Sequence, residues 1–110
     1  MFAMTATRSA VTVFAALAAL PLRAAPAEVV HVAEMGGLYT QTWRAADVGS
    51  SGPGTREIFV GGAGKAGDFW GVMHLDCDTP RYSRWVAEGG YLSAEDVPGE
   101  AIRQIRARFC

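Results

Sequence analysis

The chain has 110 residues, half of them hydrophobic and 19% charged, with a formal net charge of −1. The apolar share excludes a disordered chain, the charge balance gives no electrostatic footing for nucleic acid, and the length allows one small domain.

The N-terminus sets the compartment. Arg8 precedes an apolar run from Ala10 to Leu20, Pro21 breaks the run, and Ala25-Pro26-Ala27 offers the small residues a signal peptidase reads. A basic start, an apolar core and an A-x-A end predict a secretory signal peptide over residues 1–27, cut before Glu28. The competing reading, a transmembrane anchor, needs about 20 apolar residues and this run is well short of that. No cysteine ends the apolar run, so the product is expected free in a periplasm or outside the cell. Two of the ten basic residues, Arg8 and Arg23, lie in the signal; the mature residues 28–110 then hold 8 basic and 11 acidic residues, net −3. No nucleic acid and no membrane span are expected as partners.

The mature chain reads as a single α+β domain, an antiparallel sheet of four to six strands followed by one C-terminal helix. Val29 to Met35 alternates as a half-buried strand, with Val30 and Val32 on one side and His31 on the other. Leu38 to Ala46 is a second strand, rich in β-branched and aromatic residues. Gly49 to Gly54 is a loop, Arg56 to Val60 a short third strand, and Gly61 to Gly67 a flexible connection. Phe69 to Cys77 is the clearest strand: Phe69, Gly71, Met73, Leu75 and Cys77 share the more apolar face. Arg81 to Ala87 is a fifth, and Gly89-Gly90 ends it. From Pro98 the period changes, with Ile102, Ile105 and Phe109 on one helical stripe and Arg103, Arg106 and Arg108 mainly off it.

Two cysteines in a small exported domain allow one intramolecular pairing, Cys77–Cys110, and an oxidising compartment makes it the default. Buried free thiols, or a bridge between chains, are the alternatives.

Most candidate chemistry has a plainer explanation. Gly62 to Gly67 fits G-x-G-x-x-G, but a dinucleotide site needs a helix to open there, and a strand follows instead; a Gly-rich hairpin loop is the better reading. Ala66 after Lys65 fails the phosphate-loop pattern. Asp76 and Asp78 could form an acid pair with His74 on the same outer face, suited to hydrolysis, yet Asp78-Thr79-Pro80 has turn chemistry. His31 is the only other histidine, so no metal set and no cofactor are expected. Ser50, Ser51, Ser83 and Ser93 lack an obvious partner base, which points away from an enzyme. A binding surface is the remaining candidate: Arg81, Tyr82, Arg84 and Trp85 interleave charge with aromatic rings, and Trp43, Trp70 and Tyr91 add exposed or half-exposed rings. Arg103, Arg106 and Arg108 could meet an acidic ligand such as a sulfated glycan.

Leu75-Asp76-Cys77, Arg81-Tyr82, and Pro98-Gly99-Glu100 leading a short helix to Cys110 resemble the bacterial surface-adhesin protein E-like family, over about residues 69–110. The resemblance implies a sheet bridged to a C-terminal helix by Cys77 and Cys110, adhesion to matrix or plasma proteins, and homodimers. The chain departs from it in lacking a lipid-anchor cysteine, and in Glu100 where the family often has Ser after Pro-Gly. The expected function is a non-enzymatic, exported binding protein. An inhibitor of a hydrolase, or a small hydrolase using His74, Asp76 or Asp78, are the rivals.

Overall fold

Five strand-forming stretches, and helical spacing in the last segment, produce five strands and a helix, in a computed structural model that describes residues 26–110. All of the expected signal peptide except its last two residues lies outside the described residues. The strands are β1 Glu28–Glu34, β2 Thr40–Gly49, β3 Thr55–Gly64, β4 Phe69–Asp76 and β5 Arg84–Gly90, followed by α1, Gly99–Phe109. The strands pair antiparallel in the order in which they occur, an up-and-down meander. The domain is therefore α+β, and α1 covers one face of the sheet.

That covered face is the core. Trp43, Ala45, Ile58, Val60, Phe69, Met73 and Leu75 project from the strands to meet Ala101 and Ile105 of α1, with Ile102 and Phe109 packed at the margin. Each large side chain fully buried in this way contributes roughly 1.5–3 kcal/mol. Pro98 precedes the helix, and its carbonyl accepts the first helical hydrogen bond, from Ile102. The arginines off the stripe reach outward, Arg108 to Glu28 of β1 and Arg106 to Ser83 and the carbonyl of Asp76.

Three element boundaries differ from the sequence reading, and glycine explains two of them. β3 continues through Gly61–Gly64, and β5 runs on through Gly89-Gly90. These glycines are slots for rings. A Cβ at Gly62 would lie 2.6 Å from the Trp43 indole, and one at Gly71 would lie 2.8 Å from both Phe69 and Trp85. The three rings form a line, with centroids 5.8 Å apart from Trp43 to Phe69 and 5.5 Å from Phe69 to Trp85. Without Cβ atoms beneath them, the indoles can lie flat against the sheet. Pro80–Tyr82 forms a short 3₁₀ turn in place of the expected start of β5.

A further difference is a bulge in β1, where the register shifts between Val29 and His31. The extra residue sends Val30 into the core and leaves His31 opposite Trp43, on the helix side. Val32 is thereby moved to the opposite face, where it is exposed, so Val30 and Val32 do not share a side.

The Gly-rich turn between β3 and β4 is held by one buried amide. Gln41 Nε2 donates to the carbonyl of Gly67 at 2.8 Å, and its Oε1 accepts from the Ala66 N–H at 2.9 Å. This satisfies a side chain only 1% exposed. Leu38, placed by the sequence in β2, lies in the preceding turn and is exposed.

Cys77, one residue past β4, is bonded to Cys110, one residue past α1, with their Cα atoms 5.5 Å apart and a sequence separation of 33. The bridge removes chain entropy from the unfolded state. On the loop-length model, Cys77→Ala or Cys110→Ala lowers stability by about 3–4 kcal/mol. The double variant should cost little more than either alone in urea denaturation, because both lose one bond; additive losses would contradict this. Gly62→Ala, which drives a methyl group into the buried Trp43 ring, should cost about 1–3 kcal/mol. An unchanged unfolding midpoint would show that the ring has room to move.

Candidate functional site

Directly opposed residues in an antiparallel pair share a face, so the register defines what lies on the side away from α1. Val29, Arg44, Gly61, Trp70 and Gly89 form one row across that face; Ala46, Phe59, Val72 and Ala87 form the next. A third row is charged: Glu57, His74 and Arg84. No described element covers these rows. Trp70 is 46% exposed, and Val29, Val32 and the bulge residue Val86 are similarly open to solvent.

Glycine shapes this face too. The Trp70 ring lies over Gly89, where a Cβ would come within 2.5 Å of the indole nitrogen, and Phe59 leans over Gly61. Beside Phe59 the missing side chain of Gly61 leaves a groove of about 200 Å³, bounded by Ala27, Thr42, Arg44 and Ala63. The groove is mostly apolar, with the Arg44 guanidinium as its cation.

Two members of the charged row, Glu57 and His74, engage each other. His74 Nδ1 lies 2.7 Å from Glu57 Oε2, and Ser51 Oγ is 3.4 Å from the same ring nitrogen and 3.3 Å from the same carboxylate oxygen. A serine relay needs the hydroxyl and the acid on different nitrogens of the imidazole. Here both address Nδ1, and the relay is not formed.

The two aspartates serve separate turns. Asp76 Oδ1 accepts the N–H groups of Asp78 at 3.1 Å and Thr79 at 2.8 Å, capping the turn after β4. Asp78 instead packs on Gly54, whose Cβ position its carboxylate occupies. His74, Asp76 and Asp78 are thus not convergent. Among the described residues, no group of three or more His, Cys, Asp or Glu side chains is placed to hold a metal ion.

The four residues of the expected binding surface are divided. Arg81 and Tyr82 are exposed on the 3₁₀ turn, with the guanidinium 5.1 Å from the phenol ring. Arg84 stands on the open face opposite His74. Trp85 faces the core, edge-on to Phe69. Trp43, expected to be at least half exposed, is 2% exposed, while Tyr91 protrudes just past β5. The helix arginines are engaged as well: Arg103 with Glu100, Arg106 with Ser83 and Arg108 with Glu28. The hydrogen bond from Arg103, helped by Gln104 and the arginine's charge, holds the Glu100 carboxyl below the ordinary glutamate range.

A larger groove of about 440 Å³ lies between the β2–β3 loop and the disulfide, lined by Ser50, Pro53, Arg56, Asp78 and Phe109 among others. Two of its polar groups are already bonded, Ser50 Oγ to the carbonyls of Gly52 and Thr55, and Arg56 to Asp47, and its lining holds no exposed aromatic row. The open sheet face is therefore the better candidate. The sequence did carry a signal for it, the run Ile58-Phe59-Val60, which is apolar on both faces of a strand.

Among known proteins, no family model, no curated protein and no solved structure matches the chain.

Asp76→Ala should lower stability by about 0.5–2 kcal/mol, the cost of losing a cap, because two N–H groups lose their acceptor. Chemical denaturation measures this; a loss no larger than that of Glu95→Ala, on the exposed surface, would show that the cap is idle.

Proposed function

We propose that this is an exported, non-enzymatic binding protein that meets another macromolecule, a protein first of all, through the uncovered face of its sheet. The observation that carries the reading is the pair of rows centred on Trp70 and Phe59. They form a contiguous apolar and aromatic surface with arginines at its margins, on a domain with one helix to cover two faces. Large exposed apolar patches mark interaction sites in soluble domains, and Trp and Arg dominate the energetics of such sites.

The export signal and the disulfide between Cys77 and Cys110 support a periplasmic or secreted location, since such bonds persist in oxidising compartments. Among the described residues no helix is long and apolar enough to cross a membrane. The resemblance to surface-adhesin protein E-like proteins supports adhesion as the form the binding takes, with a second copy as a further possible partner. Arg81 and Tyr82, exposed on the 3₁₀ turn before β5, offer a further cation and ring.

Immobilised protein should retain a component of a panel of matrix, plasma and envelope proteins, hydrolases and sulfated glycans. Trp70→Ser should weaken that binding by about 2 kcal/mol or more, as for an interface hot spot, at an unchanged melting midpoint. Binding that survives Trp70→Ser and Val32→Ser but is lost with Arg103→Ala would place the site on the helix and contradict the reading.

A further inference from the structure

The open face is not uniform, and one point on it is built to receive a projection. The groove beside Phe59 has Gly61 as its floor, and a Cβ there would come 3.3 Å from the Phe59 ring, so any larger residue would begin to fill it. Its volume of about 200 Å³ is below the roughly 300–1,000 Å³ of small-molecule sites. It has the size for one large side chain of a partner. Tight interfaces anchor in such pockets.

Charge specifies what should surround that side chain. Arg44 lines the groove, and neither Arg44 nor Arg84 makes an ion pair or hydrogen bond among the described residues, whereas Arg56, Arg103 and Arg108 all pair with carboxylates. Glu57, the carboxylate nearest the centre of this face, is taken by His74. Glu34, opposite Thr40, and Asp76, opposite Thr55, share this face but stand at the ends of their strands, so the local charge at the groove is that of Arg44. Processing before Glu28 would add to it: Ala27 forms one wall of the groove, and its removal would widen the mouth and leave a new α-amino group beside Arg44.

Resting on the reading of the open face as the binding face, we propose that this groove is its anchor pocket. It takes a large apolar side chain of a protein partner, with an adjacent carboxylate of that partner set against Arg44.

The test is an amide NMR titration of the processed protein, as recovered from the producing cell. The probes are blocked pentapeptides Gly-Asp-Phe-Asp-Gly, Gly-Asn-Phe-Asn-Gly and Gly-Lys-Phe-Lys-Gly, with phosphatidylglycerol vesicles as a separate arm. The Asp peptide should shift the amides of Thr42, Gly61 and Ala63, and bind about two- to five-fold tighter than the Asn peptide, the range of one exposed ion pair. The Lys peptide should bind more weakly still. Arg44→Glu should invert that order, and Ala63→Trp, which roofs the groove, should abolish the shifts while the melting midpoint is kept. Shifts centred on Trp70 and Val86, or no charge preference, would overturn the anchor pocket and leave the binding face standing. Shifts confined to residues off the open face would overturn both. No response to any peptide, or broadening by the vesicles alone, would overturn the pocket, the latter in favour of a membrane surface.

Discussion

Among the described residues, one α-helix must serve a sheet with two faces. At about 1.5 Å per residue, the eleven residues of α1 span about 16 Å, and five strands at roughly 4.8 Å spacing are about 19 Å across. The helix suffices for one side of the sheet and no described element remains for the other. Everything distinctive about the molecule follows from that shortage. The side beneath α1 collects Trp43, Ile58, Leu75 and Ile105 at 2% exposure or less. The far side keeps its valines, Trp70 and part of Phe59 in contact with water.

A domain this small, covered on one side, needs help to stay folded, and it has two kinds. The disulfide joins the residue after α1 to the residue after β4, so the helix cannot drift from the sheet it covers. The second is the use of glycine within the strands. Gly62 and Gly71 let Trp43, Phe69 and Trp85 lie close against the backbone, which gives a thin core large buried rings without greater thickness. The same device on the far side, Trp70 over Gly89 and Phe59 beside Gly61, flattens the exposed face and opens the groove next to Arg44.

Much of the architecture is legible in the residues. The alternation from Phe69 to Leu75 specifies β4 and its buried side, the spacing of Ile102, Ile105 and Phe109 specifies the helix, and the cysteine count specifies the bridge. What is not legible depends on partners distant in sequence. Gly61 to Gly64 reads as a loop because a glycine's role as a slot exists only once an indole from the neighbouring strand fills it. The β1 bulge reverses Val32, and nothing local announces a bulge. Trp85 and Trp43 are rings that a sequence cannot assign to core or surface, and the register decides both. For the site, Trp70 was readable as outward-facing, while Arg44 and Phe59 join it only through pairing across three strands. The acid pair dissolves for a related reason: Asp76 and Asp78 are near in sequence, but Asp76 caps its own turn while Asp78 lies against Gly54.

Function follows from what is left uncovered. Most groups that would support chemistry are engaged: His74 by Glu57, Asp76 by its turn, and the helix arginines by neighbouring acids and Ser83. The open face carries aromatic rings together with two arginines, Arg44 and Arg84, that have no hydrogen-bonded or ion-pair partner among the described residues. Hydroxyl-radical footprinting of the protein in intact producing cells, compared with the purified protein, tests this most directly. The account predicts that Trp70, Phe59 and Val32 are protected in the cell while Tyr82 and Tyr91 react equally in both settings. Equal labelling of Trp70 in both, with protection at Tyr82 or Tyr91, would contradict it.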